Sequence, residues 1–289
     1  MSGGPDSVAL LLLAAMSLPG RVEAATVDHG LRAESAGEAA MVAALCARLE
    51  VPHRTLAVAV APGNLQAQAR AARYAALAQW LAERALAALA TGHQLDDQAE
   101  TLVMRLNRGS GLAGLAGVRA RGTVPGSDRL LLRPLLGWRR AELEALTAQA
   151  DVTPVRDASN EDTQFDRVRV RRMLAEVAAL NPLGIARSAQ LLAEAEDYCA
   201  GQIDRAWDSR VVPDKDGFAY AAGGAHPFES VEIVLRIGLA LGAELARGDA
   251  RAMVERLRAG ANASLGGVLA RPDGADSWRF SPEPPRNAV

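Results

Sequence analysis

After Met1 the chain opens on Ser2-Gly3-Gly4-Pro5-Asp6-Ser7, which runs without a break into an apolar helical stretch over 8–16. No other segment restricts the fold as tightly. Glycines let backbone N–H groups approach phosphate oxygens, and the N-terminus of the following helix adds a favourable dipole. Ser2 and Ser7 can donate further hydrogen bonds, and Asp6 can hold the Mg2+ that accompanies a pyrophosphate. An N-capped turn would account for a bare Gly-Gly pair. The full hexapeptide ahead of an apolar helix favours a nucleotide loop.

Short apolar runs then alternate with longer helical patterns, the signature of a parallel α/β sheet. Helical spacing covers 7–16, 36–49, 66–86 and 96–106. Strand-like runs cover 21–27, ending at Asp28-His29-Gly30, then 54–60, then 86–91, ending at Gly92-His93. Further short apolar runs fall at 130–132 and 151–155. A helix cannot run straight through Asn181-Pro182. Beyond it, helical spacing returns over 185–207, 229–247 and 249–259, around a Pro/Asp/Gly loop at 213–217. The expected architecture is α/β: a Rossmann-like parallel sheet with helices on both faces over 1–182, followed by a smaller, mainly helical domain over 183–289.

Composition excludes several classes. Two cysteines, Cys46 and Cys199, cannot make a disulfide framework or a multi-cysteine metal site, which fits a reducing cytoplasm. No apolar stretch reaches the roughly 18–20 residues that span a bilayer, so no membrane partner is expected. A Walker-type loop needs a lysine after its glycines, and the single lysine is Lys215. The net charge of −2 hides segregation. Residues 101–140 hold eight arginines against one acid, Asp128, a balance of +7 that leaves −9 for the remainder. A near-neutral total can therefore conceal a basic face able to concentrate RNA.

The hexapeptide resembles the loop of the PP-loop ATP pyrophosphatases, which cleave ATP to AMP and pyrophosphate and usually adenylate a substrate. In that family a buried parallel strand leads into the loop. Here only Met1 precedes it, so the first strand is expected to be truncated by a start assigned too late. Four further segments narrow the resemblance. They are Asp28-His29-Gly30-Leu31-Arg32, Arg70-Ala71-Ala72-Arg73-Tyr74, the run from Thr91-Gly92-His93 to Glu100-Thr101, and Arg108-Gly109-Ser110-Gly111-Leu112-Ala113-Gly114-Leu115. With Asp157-Ala158-Ser159-Asn160, the arginine run 167–172 and Leu180-Asn181-Pro182, they are similar in order and spacing to the tRNA(Ile)-lysidine synthetases. The resemblance covers about residues 2–182 and weakens over 183–289. Val168 stands where that family often has asparagine.

The resemblance implies an ATP- and Mg2+-dependent ligase joining free L-lysine to C2 of the wobble cytidine in the CAU-anticodon isoleucine tRNA. Ser2, Gly3, Gly4, Pro5, Asp6 and Ser7 would bind ATP, with Asp6 on the metal; Asp28, His29, Gly92 and His93 would complete that site at the strand ends. Asp97 and Glu100 lie three apart, so both carboxylates leave one helix on the same side. Such a pair can grip an ammonium and help remove its proton, although a solvated acidic first turn has the same spacing. The resemblance associates them with lysine; Asp96 takes no step. Arg73 is the candidate for the reacting centre, because a guanidinium binds oxyanions in a bidentate fork. Arg108, Arg167, Arg169, Arg171 and Arg172 are the candidate RNA contacts, and Arg32 could meet RNA or phosphate. Gly109, Gly111 and Gly114 suit either a loop that orders over RNA or a helix C-cap. His53, His226 and both cysteines read as structural. A homodimer stays open.

Two rivals remain. A tRNA thiolase would share the loop but normally brings a Cys-x-x-Cys pair, absent here. An inactive RNA-binding relic would follow from loss of the first strand.

Overall fold

The computed structural model describes residues 1–30, 35–155 and 166–283. Arg32, the Asp157–Asn160 segment and the end of the proline-bearing tail lie outside the described residues. Contacts divide the chain into two compact units, residues 1–194 and 195–289.

In the first unit helices α1 (Pro5–Ser17), α2 (Ser35–Arg48) and α3 (Leu65–Glu83) alternate with strands β1 (Ala24–Asp28) and β2 (His53–Ala57). Strand β3 (Ala88–Ala90) leads to α4 (Leu95–Asn107), then α5 (Leu112–Leu115), β4 (Arg121–Thr123) and β5 (Leu130–Leu132). Helices α6 (Arg140–Gln149) and α7 (Asp166–Glu176) follow, and α8 (Pro182–Arg210) begins at the proline that interrupts the pattern. Pro182 suits a first helical position, where no backbone donor is needed, and Asn181 Oδ1 accepts the Leu183 N–H at 3.1 Å.

Strands β1 and β2 pair in parallel, as do β3 and β5, while β4 joins β5 antiparallel. Alternation along β1 sends neighbouring residues to opposite faces. Ala24 packs with Val8, Leu11 and Leu12 of α1 and Val42 and Leu45 of α2. Ala25 packs instead with Tyr74, Leu77 and Leu81 of α3. The two-stranded β1–β2 sheet is thus covered on both faces, as the alternation of apolar runs predicts, while β3, β5 and β4 form a separate three-stranded sheet. The Met1 amino group donates to Ala25 O, placing residue 1 beside β1. The run at 151–155 forms no strand, since Asp151 turns at φ +50°; Val155 N donates to Gly3 O at 2.9 Å and buttresses the loop. Val168 is buried in α7 as an apolar contact.

The second unit contains the end of α8, helices α9 (Pro227–Ala240) and α10 (Arg247–Arg258), and five strands. These are β6 (Val211–Asp214), β7 (Gly217–Ala221), β8 (Ala263–Leu265), β9 (Val268–Pro272) and β10 (Ser277–Pro282), in the antiparallel order β6-β7-β10-β9-β8. Helical residues outnumber strand residues, yet the sheet is a feature that helical spacing did not reveal. The 213–217 loop is the tip of the β6–β7 hairpin. Tyr220, Ile233, Ile237, Met253, Val268, Trp278 and Phe280 form the core. His226 caps α9, its Nδ1 accepting the Phe228 N–H at 3.2 Å. No described helix is long and apolar enough to cross a membrane.

Candidate active site

The loop is locked by its own residues. Gly4 caps α1 in an extended conformation and Pro5 occupies the first helical turn, where its fixed φ suits the helix. Gly3 adopts φ +76°, in the left-handed region, and a Cβ there would sit 3.0 Å from Val155 Cγ2. Ser7 Oγ donates to Gly4 O at 3.0 Å, while Ser2 Oγ and Ser2 N approach Ser7 Oγ at 3.2 and 3.3 Å. The first amides of α1 are left facing outward from the helix end, which is the anion-binding property of such a terminus.

Gly92 lets the end of β3 close on this loop. A Cβ on Gly92 would lie 3.0 Å from Asp6 O and 3.1 Å from Asp6 C, both backbone atoms. His93 Nδ1 meets Thr91 Oγ1 at 3.0 Å. Burial lowers the His93 pKa to about 4, with Arg133, Arg167 and Arg70 acting in the same direction and Asp97 opposing, so the imidazole is neutral at pH 7. His29, after β1, is also held below the usual histidine range, by burial and then by Arg73. Asp28 Oδ1 accepts the Gly30 N–H at 2.9 Å. Asp6 moves the other way: burial first, then the Asp97 and Glu144 charges, raise its pKa to about 6 against Arg140 and Arg171.

Gln94 caps α4 and explains why Asp97 points back toward the strand end. Gln94 Oε1 accepts the Asp96 and Asp97 N–H groups, and Asp97 Oδ2 accepts the Gln94 N–H at 3.0 Å, a reciprocal capping box. Glu100 lies one turn on, its side chain 1% exposed. Asp97 and Glu100 share a face, as their spacing requires, but both are already paired. Glu100 accepts from Arg167 Nε at 2.7 Å, Arg171 Nε at 2.8 Å and Arg140 Nη2 at 3.2 Å. Asp97 Oδ1 accepts from Arg167 Nη2 at 2.9 Å. Asp96 is clamped by Arg139, Nη2 at 2.8 Å and Nε at 3.1 Å, and by the Arg140 N–H at 2.8 Å. Burial alone would raise Asp96 and Glu100, but these arginine bonds outweigh it and hold both below the usual carboxylate range.

The arginine run therefore splits by helical face. Arg167 and Arg171, four apart on α7, turn inward onto Asp97 and Glu100. Arg169 pairs with Asp166 on its own helix, Arg108 just after α4 pairs with the same Asp166 at 3.0 Å, and Arg172 also has a partner. Arg73 is exposed, 5.7 Å from the Tyr74 ring centre. Gly109 takes φ +67° at the end of α4, with Ser110 N bonding Arg105 O and Gly109 N bonding Leu106 O, so it serves as the helix C-cap. Arg139, Arg140, Arg133 and Gln94 carry site roles that motif reading alone did not assign. Their signal is positional: Gln94 precedes a helix, and Arg139 and Arg140 open one.

Among the described residues four buried side-chain atoms have no hydrogen-bond partner: Asp6 Oδ1, His29 Nδ1, Gln94 Nε2 and Arg133 Nε. One belongs to the loop, and the others lie just beyond the carboxyl ends of β1, β3 and β5. Unpaired buried polar atoms cost roughly 1–3 kcal/mol each, and ligands of open α/β sheets bind at this edge.

The PP-loop domain family model matches residues 1–178. The tRNA(Ile)-lysidine synthase of Novosphingobium aromaticivorans is 47% identical over 98% of this chain and 88% of its own length. Those of Methylobacterium nodulans and Zymomonas mobilis are 41% and 39% identical, covering 100% and 99% of this chain and 90% and 88% of their own lengths. Among solved structures, the U34-tRNA thiolase NcsA from Methanococcus maripaludis with its [4Fe-4S] cluster superposes with a TM-score of 0.56 at 18% identity. It covers 68% of this chain and 69% of its own, a likeness of fold. With relatives of that identity aligned over nearly its whole length, the chain belongs to the tRNA(Ile)-lysidine synthase family of PP-loop proteins.

Proposed function

We propose that the protein is a carbon–nitrogen ligase that converts the wobble cytidine of CAU-anticodon isoleucine tRNA to lysidine in the cytoplasm. The reading is carried by the four unpartnered buried atoms around the loop and the strand ends, which suit a polar ligand at that edge. ATP transfers its adenylyl group to the C2 oxygen of the base and releases pyrophosphate. The ε-amine of free L-lysine then bonds to C2, and the C2–oxygen bond breaks as AMP departs. Adenylation turns a poor leaving oxygen into a good one, and the site holds amine and carbon in attack geometry.

Ser2, Gly3, Gly4, Pro5, Asp6 and Ser7 cradle the phosphates, with Asp28, His29, Gly92 and His93 at the nucleotide's edge. The unpartnered Asp6 Oδ1 fits a hard cation held between one carboxylate and substrate phosphates. Mg2+ there would offset the charge of the polyphosphate. Asp97 receives the lysine ammonium in competition with Arg167 and helps draw off its proton, while Arg73 supports the reacting centre. Glu100, saturated by three guanidiniums, acts by holding Arg140, Arg167 and Arg171 in place. Arg108, Arg169 and Arg172, with the outer arginines of 101–140, position RNA phosphates, and residues 183–289 meet the tRNA body.

The test is incubation with ATP, radiolabelled lysine and an isoleucine tRNA transcript. Label should enter the CAU-anticodon transcript and not one with a different wobble base. No label in the CAU transcript would overturn the reading.

A further inference from the structure

Arg133 directly follows β5, and no step of the proposed reaction is assigned to it. Its N–H donates to Ala120 O at 2.9 Å and its Nη1 to Arg119 O at 2.6 Å, so the segment before β4 fixes its direction. Tyr74 packs in one core cluster with Leu131 of β5, and its hydroxyl favours the charged form of Arg133 against burial and Arg70. Tyr74 is buried, and Arg70 lies over its ring, 4.9 Å from the centre. Arg133 Nε is buried without a partner.

The surrounding charges make this unusual. Arg139, Arg140, Arg167 and Arg171 are each matched to a carboxylate of α4. Among the described residues neither Arg70 nor Arg133 pairs with a carboxylate. Both act on His93, whose imidazole is neutral, chiefly through burial. Arg70 and Arg73 both lie over the Tyr74 ring, and burial, then the Arg70 charge, weakens the charged form of Arg133. An oxyanion relieves both costs, since a planar guanidinium with an unused Nε offers two parallel donors to it.

We propose that Arg133 and Arg70, held on Tyr74 beside His93, bind a phosphate group of the substrates. The inference rests on the RNA-modifying reading above. Two sources share this chemistry: a phosphodiester of the RNA strand near the target base, and the phosphates of ATP. Geometry favours the RNA. The loop packs against the end of β3, and β5 stands one strand further along the sheet, a step of about 4.8 Å.

Arg133→Ala should weaken binding of the CAU-anticodon transcript about tenfold at fixed salt. It should also lower the slope of log K against log salt by about 1, as loss of one phosphate contact requires. The ATP KM should not move. Arg133→Lys should restore much of the slope with little of the affinity, because it keeps the charge and loses the fork. Tyr74→Phe, which removes only the hydroxyl that favours the charged Arg133, should weaken binding in the same direction if Arg133→Ala does not fold. A raised ATP KM with unchanged tRNA affinity would keep the phosphate site and assign it to ATP. Unchanged tRNA affinity, salt slope and ATP KM in folded Arg133→Ala would overturn the proposal and leave Arg133 as a strut against the Arg119 carbonyl. Binding is read without turnover. A wild-type protein that binds tRNA but transfers no lysine would therefore sink the ligase reading separately.

Discussion

Glu100 Oε1 accepts from Arg171 Nε at 2.8 Å, joining the middle of α4 to α7 across 71 positions of sequence. The same carboxylate holds Arg167 and Arg140, so one buried charge ties three helices, α4, α6 and α7, together. Removing Glu100 leaves three partly solvated guanidiniums facing one another, at a cost of up to about 3 kcal/mol, below that of a fully buried pair. Glu100→Ala should lose stability on that scale in urea unfolding. Glu100→Gln, which keeps an acceptor but not the charge, should lose less. A Glu100→Gln protein that melts like wild type while its lysine KM rises steeply would show a direct ligand rather than an anchor.

Gly92→Ala puts a methyl group 3.0 Å from Asp6 O, a backbone atom that can yield only by moving the loop. Overpacking of this kind costs about 1–3 kcal/mol. The larger effect should be on nucleotide binding, because the displaced segment carries the α1 amides. The ATP KM should rise at least tenfold while tRNA affinity stays within about twofold. Parallel loss of both would mean that the whole strand-end edge had collapsed.

Much of the first unit can be read from residues. Gly3 and Gly92 are legible because only glycine tolerates their conformation or their neighbours, and the α/β alternation follows from burial of short strands on both faces. The pairing of Arg167 and Arg171 with Glu100 is only half legible. Their i, i+4 spacing puts them on one face, but an arginine side chain is long enough to reach water or a distant carboxylate, and spacing does not choose. The second-unit sheet escapes notice for another reason. Trp278 and Phe280 alternate with Arg279 and Ser281 as a half-buried strand should, but the run spans only six residues. A run that short carries little periodicity of its own.

Two neighbouring groups titrate with opposite consequences for folding. Asp6 binds its proton more tightly in the folded state, with a pKa of about 6 against an ordinary 3.8. Its contribution to stability therefore falls as pH rises between those values. His93 binds its proton less tightly, at about 4 against 6.5, so its contribution rises over the overlapping window. Asp6→Asn removes the falling component and should steepen the gain in melting temperature between about pH 4 and 6. Mg2+–ATP needs the ionised carboxylate, so its affinity should strengthen as pH rises through about 6 in wild type and stay flat in Asp6→Asn. A wild-type affinity independent of pH over that range would remove Asp6 from the metal site.

Asp97 separates the lysine half of the reaction from the ATP half. Its two oxygens do different work: Oδ2 closes the α4 capping box through Gln94 N, and Oδ1 faces Arg167. Asparagine can supply only one acceptor, so Asp97→Asn must turn its NH2 group toward a donor on one side. Loss of that hydrogen bond should cost about 1–3 kcal/mol of stability. The lysine consequence should be larger, since an ammonium competing with Arg167 needs a full negative charge to bind. The lysine KM should rise tenfold or more, with ATP binding largely retained because no loop residue moves. Matching losses for ATP and lysine would place Asp97 in the nucleotide half, and an unchanged lysine KM would leave it a helix cap alone.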